Sequence, residues 1–182
     1  MLTYWVEVQK TRDGKDYEDP FRLASENIIF ERNYRARLHV SSRQAGYLYM
    51  VNEGPVPQGD RPKYVLIFPV PSQNAGSARL SEGQSVLVPE KSWMKFDDEK
   101  GPEKLWLVFS EQAVPELEAV KGVLNPTDMG QIKDPAQVSA VESYLSRHKT
   151  PAPQVTVDDE SKQTIIRGVG DPVVSVRKFE HY

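Results

Sequence analysis

The 182-residue chain carries 23 Lys and Arg against 26 Asp and Glu, a formal charge of −3, with 38% hydrophobic and 27% charged residues. This describes a single globular domain and excludes a disordered tract; the charges are scattered and form no basic stripe, which argues against a nucleic-acid partner. Apolar runs reach about six residues, where a membrane-crossing helix needs roughly 20, and the lack of cysteine removes disulfides, thiolate metal sites and cysteine nucleophiles together.

The opening, Met1 to Glu7, is strand-like and has neither the basic region nor the long apolar core of a signal peptide. Met1 therefore reads equally well as a native start or as a cut into a longer protein. Thr3 to Gln9 is a first strand, with Tyr4, Val6 and Val8 alternating against Trp5 and Glu7. Thr11 to Pro20 is a polar turn with Asp13-Gly14, Asp16, Glu18 and Asp19, and Ile28 to Phe30 makes a short strand or anchors a loop. Tyr34 to Val40 alternates cleanly, with Tyr34, Ala36, Leu38 and Val40 on one face and Arg35, Arg37 and His39 on the other. That is the pattern of a half-exposed antiparallel strand.

Four short apolar segments follow: Gly46 to Val51, Val65 to Pro69, Ser85 to Pro89 and Lys104 to Phe109. Each is rich in β-branched and aromatic residues and too short for a buried helix, so they read as strands buried on both faces. Asn52 to Pro62 and Pro69 to Leu80 are loops, and Ser92 to Phe96 is a short aromatic strand. Pro115 to Val120 reads as one helical turn. Asp134 to His148 is the clearest helix: Asp134 is the N-cap, Pro135 the first helical residue, and Val138, Val141, Tyr144 and Leu145 form the apolar stripe. Gln163 to Arg167 and Val173 to Phe179, joined by Gly168-Val-Gly-Asp-Pro172, read as a closing hairpin over 163–179.

An ordered set of short motifs runs between them: Gly46-Tyr47-Leu48-Tyr49, Ile67-Phe68-Pro69, Asn74, Gly83, Val88-Pro89, Trp93 with Phe96, and Gly101-Pro102-Glu103-Lys104-Leu105. In that order and spacing, residues 32–117 resemble an uncharacterised bacterial family, the domain of unknown function 4384. Pro102 stands where the family pattern has Thr. The resemblance implies an appendage of a larger bacterial protein, attached to kinase, caspase-like peptidase or lipoprotein modules and often outside the cytoplasm. It brings no catalytic residues.

Candidate chemistry is sparse. His39, His148 and His181 sit one per region and match no metal motif. Asp13, Asp16 and Glu18 are the candidate calcium ligands, on an acidic turn that lacks the twelve-position EF-hand register; Asp158, Asp159 and Glu160 form a second acidic cluster. Ser85, Ser92 and Ser110 lie beside strands with no His nearby in sequence and no nucleophile elbow. The Gly168-Val-Gly turn lacks the third glycine and the helix of a dinucleotide site. Tyr47, Tyr49, Tyr64, Trp93, Phe96 and Trp106 serve chiefly as core, and Tyr64 and Trp93, nearest the loops, are the candidate ligand-binding rings.

The sequence therefore predicts a mainly β chain: one immunoglobulin-like antiparallel β-sandwich over 1–182, with a helical insertion over 115–149. Its expected role is a non-catalytic binding or protein-interaction module of a larger, periplasmic or cell-surface bacterial protein, with a protein or cell-envelope ligand and no cofactor. One alternative is a carbohydrate-active or other hydrolase whose acids, such as Asp97 or Asp98 with Glu103, assemble only in space. The other is a structural domain that pairs an exposed strand edge with another chain.

Overall fold

Alternation along the first strand sets up the architecture. Leu2, Tyr4, Val6 and Val8 are buried, while Thr3, Trp5 and Glu7 between them are half-exposed, so this strand covers a core with one face only. The computed structural model describes residues 1–23, 28–31, 33–56, 60–95, 101–121, 131–151, 154–168 and 170–181. Its first strands are β1 (Leu2–Arg12), β2 (Lys15–Asp16), β3 (Phe21–Leu23), β4 (Ile28–Phe30), β5 (Tyr34–Ser42), β6 (Gly46–Glu53) and β7 (Tyr64–Phe68). After a 3-10 turn at Asn74–Gly76 come β8 (Arg79–Leu80), β9 (Ser85–Val88), β10 (Met94–Lys95) and β11 (Gly101–Ser110). Two helices, α1 (Pro115–Glu118) and α2 (Pro135–His148), precede β12 (Gln154–Asp158), β13 (Gln163–Arg167) and β14 (Val173–His181).

The chain is mainly β and forms two sheets. The first runs β10–β5–β1–β13–β12, with β9 also on β5 and β2 and β3 on β1. The second runs β4–β14–β11–β6–β7, with β8 also on β6. Pairing is antiparallel except for the short β4–β14 contact, which is parallel. The core between the sheets takes Leu2, Tyr4, Val6 and Val8 from β1, Ala36, Leu38 and Val40 from β5, and Leu48, Met50, Leu105, Leu107 and Phe109 from β6 and β11.

The alternate residues of β6 and β11 are also buried. Tyr49, Val51, Trp106 and Val108 point away from the first sheet into a second apolar cluster completed by Leu117 of α1 and Val138, Val141, Tyr144 and Leu145 of α2. The molecule thus has three layers, sheet, sheet and helices. The third layer explains why β6 and β11 read as apolar on both faces. At the start of β6 the chain packs so tightly that a Cβ on Gly46 would lie 2.5 Å from the Phe109 ring, which only glycine avoids.

Several expectations are corrected here. Gln163–Arg167 and Val173–His181 do not form a hairpin: β13 pairs with β1 and β12 in the first sheet, and β14 pairs with β11 in the second. The 170–172 turn instead carries the chain from one sheet to the other. The stretch Thr11–Pro20 holds a small β2 hairpin on β1 rather than a plain turn. Of the Ser92–Phe96 strand, β10 covers Met94–Lys95, and Phe96 lies outside the described residues.

Candidate functional site

The outer face of the first sheet gathers the half-exposed side chains of β1, β3 and β5. Antiparallel register sets Trp5 opposite His39 and Glu7 opposite Arg37, and β3 brings Arg22 opposite Glu7 from the other side. Directly paired residues of an antiparallel sheet have neighbouring side chains. Trp5 and His39 accordingly stack, with ring centroids 3.6 Å apart and planes 9° from parallel. The Arg22 guanidinium carbon lies 3.7 Å from the Trp5 ring centroid. A second stack stands beside the first: the Arg37 guanidinium carbon is 4.1 Å from the centroid of Trp93, which the 89–93 segment delivers just before β10.

Glu7 ties the two stacks together. Its Oε2 accepts from Arg37 Nε at 2.6 Å and faces His39 Nε2 at 3.2 Å. Burial would raise this carboxyl, but the hydrogen bonds from Arg37 and His39 outweigh it and hold the group below the usual glutamate value. The three side chains keep 16% (Glu7), 24% (Arg37) and 29% (His39) of their surface open. The Arg37 guanidinium meets the Glu7 carboxylate, while Arg22 lies over Trp5 and donates from Nη1 to the Ser161 carbonyl at 3.3 Å. Flat rings and fork-shaped cations in fixed planes suit recognition of a carboxylate next to a flat or apolar group.

Of the residues chosen from sequence, Trp93 sits in this face. Tyr64 does not: it is 3% exposed, beneath α2, and offers no open ring. Its hydroxyl donates to Glu53 Oε1 at 2.7 Å, with Glu142 Oε2 at 3.4 Å, and Glu53 Oε2 has Lys104 Nζ at 3.4 Å. Burial first, and then the Glu53 carboxylate, push the phenol above its ordinary pKa. A phenol held protonated this firmly ties sheet to helix and is a poor nucleophile or proton donor.

Two of the three calcium candidates, Asp16 and Glu18, face cations. Asp16 meets Arg35 at 3.9 Å, Glu18 meets Lys10 at 3.6 Å, and Asp13 occupies a left-handed turn position at φ 53°. Among the described residues no three acidic or histidine groups converge on a metal-sized site. Asp158 belongs to a turn: its Oδ1 accepts from the Glu160 N–H at 2.9 Å and the Ser161 N–H at 3.3 Å, and these bonds lower its pKa. His148 packs on Tyr144 at the end of α2. Asp97 and Asp98 lie outside the described residues, and so does their pairing with Glu103. The loop at 69–80 is pinned by side-chain amides, Asn74 Nδ2 donating to the Ser77 carbonyl at 2.7 Å and Gln84 Nε2, from the turn after β8, donating to Asn74 Oδ1 at 3.1 Å.

Trp5, Arg22 and Glu7 went unselected in the sequence, although the signal was there. Trp5 and Glu7 alternate against the core residues of β1, and Arg35, Arg37 and His39 do the same on β5. What the pattern lacks is the register that brings the two polar faces together.

Fold and site together define a two-sheet β domain with a helical third layer and an aromatic and cationic outer face. Comparison of the chain with family models, curated proteins and solved structures gave no match.

Proposed function

We propose that the chain is a non-catalytic binding or protein-interaction module, and that the outer face of its first sheet is the binding surface. The observation that carries this is the pair of stacks, Arg22–Trp5–His39 and Arg37–Trp93, locked through one carboxylate. Holding large planar side chains rigid at a half-open surface lowers the ordering cost of binding, which is where much affinity is otherwise lost. The ligand class that fits is a protein or cell-envelope component presenting a carboxylate beside a flat or apolar face. Carboxylate-bearing peptidoglycan fragments and acidic peptides both have that chemistry. The two-sheet arrangement supports an immunoglobulin-like sandwich as the scaffold, and the resemblance of residues 32–117 to the domain of unknown function 4384 supports a place in a larger bacterial envelope protein.

The test is a thermal-shift screen of the purified chain against glycans, peptidoglycan fragments, acidic and basic peptides and divalent cations. A ligand that binds only the folded state raises the melting temperature in a saturable way. A rise with a carboxylate-bearing class, weakened roughly fivefold or more in affinity by Trp93→Ala and by Trp5→Ala, is the expected result, since each stack contributes about 1 kcal/mol or more at a partly desolvated site. A flat screen, or binding that ignores both substitutions, sinks the proposal.

A further inference from the structure

The side chains that meet on the outer face of the first sheet are Trp5, Glu7, Arg22, Arg37, His39 and Trp93. Histidine is the type among them that changes charge between about pH 5 and 8. Alternation along β5 puts His39 on this face, and register sets it opposite Trp5 of β1 and Leu87 of β9. Its side chain keeps 29% of its surface open, so a ligand lying on the face can reach it.

The charges around the imidazole come from β1, β5 and β3. From β1, Glu7 Oε2 lies 3.2 Å from His39 Nε2. From β5 itself, Arg37 Nε donates to the same oxygen at 2.6 Å. From β3, the Arg22 guanidinium carbon lies 3.7 Å from the Trp5 ring centroid, and its Nη1 donates to the Ser161 carbonyl at 3.3 Å. His39 stacks on the same ring at 3.6 Å, so the two groups take its opposite faces. Leu87, on the β9 side, carries no charge. Glu7 is held below the usual glutamate value, so over this pH range it is an anion and only accepts. The neutral imidazole therefore carries its proton on Nε2, toward Glu7, and keeps a lone pair on Nδ1. Among the described residues Nδ1 has no hydrogen-bond partner. A proton taken there adds a donor and a positive charge without turning the ring. The stack holds through the change, because a cation is attracted both to an indole face and to a carboxylate.

We infer that His39 gates this face by pH: protonation of an imidazole stacked on Trp5, beside the carboxylate that Arg37 holds, strengthens binding of a carboxylate ligand in mildly acidic conditions. The inference rests on the reading of the outer face as a binding surface and adds its regulation. Below the transition the face offers the ligand an imidazolium as well as the guanidiniums. Above it, the same ring is an uncharged neighbour of Glu7, and the ligand's carboxylate meets that anion with one cation fewer to offset it. The ligand is thus taken up at low pH and released as pH rises, with no movement of the backbone.

The probe is benzoate, a carboxylate on a flat apolar ring, titrated into the full chain by nuclear magnetic resonance at about pH 5.5 and about pH 8. Its dissociation constant should be roughly fivefold lower at the acidic pH, the effect of one added charge at a half-open site. His39→Gln should abolish that difference. Coupling is reciprocal, so saturating benzoate should raise the midpoint of the His39 titration in the unmodified chain by about 0.7 on the pH scale. His148, at the end of α2, should not respond. Equal affinity at the two pH values, a difference that persists in His39→Gln, or a His39 midpoint that benzoate leaves in place overturns the inference and leaves the binding face standing. No benzoate binding at either pH removes the binding face itself, and the gating falls with it.

Discussion

One oxygen of Glu7 serves two neighbours, Arg37 Nε and His39 Nε2, and this sharing sets how the outer face responds to substitution and to pH. The carboxyl is held below the ordinary 4.5 of a glutamate. A depressed carboxylate stabilises the fold at pH values above its unfolded pKa, and that contribution disappears as pH falls through the folded pKa. Glu7→Gln should therefore cost about 1.5–3 kcal/mol at neutral pH, the usual worth of a hydrogen bond to a charged group. At about pH 3 most of the difference from the parent should vanish. Urea unfolding at the two pH values checks this, and an equal deficit at both would show that the pair has no electrostatic role. The residue scale is also where the sequence was least legible. Trp93 was readable as a ring near a loop. Tyr64 read the same way, yet it lies under α2, because nothing local marks which aromatic a helix from elsewhere will cover.

Helix α2 illustrates the opposite case. Asp134 Oδ1 accepts from the Ala136 N–H at 2.8 Å and the Gln137 N–H at 3.2 Å, satisfying donors that the helix itself leaves unpaired. Pro135 fills the first helical position, and Val138, Val141, Tyr144 and Leu145 are the buried stripe. All of this is local in the chain, so it could be read in advance to the residue. Asp134→Ala should destabilise the protein by about 1 kcal/mol through loss of the cap. Asp134→Ser should recover most of that in the same denaturation series; a Ser variant as unstable as the Ala one would place the defect elsewhere. Strands were harder. The alternation of β5 was legible because one face is wet, whereas β13 and β14 looked like a hairpin because they are neighbours in sequence with a Gly-rich turn between them. Their separation into two sheets reflects the partners each finds, β1 and β12 for one and β11 for the other.

Across the whole molecule, two apolar clusters share the second sheet, and three tyrosines stand in the cluster between that sheet and the helices. Tyr49 donates to Glu118 at 2.6 Å and accepts from the Val114 N–H at 3.1 Å, Tyr64 holds Glu53, and Tyr144 rides on α2. Burial raises all three phenols, Tyr144 to about 12 from an ordinary 10.0. A raised phenol contributes its stability fully below the unfolded pKa and loses it as pH climbs toward the folded one. Unfolding midpoints should hold steady to about pH 9 and fall steeply between about pH 10 and pH 12. Tyr144→Phe should make that fall shallower; an unchanged profile in this variant would remove Tyr144 from the cause. The sequence alone determined the β-rich class, the position and cap of α2, and the inward and outward faces of β1 and β5, because periodicity and capping are written within a few residues of chain. Only the tertiary structure decided that the helices form a third layer and that Trp5 meets His39 and Arg37 meets Trp93. Those depend on which strands pair and in what register, and that is settled by long-range packing that no local pattern encodes.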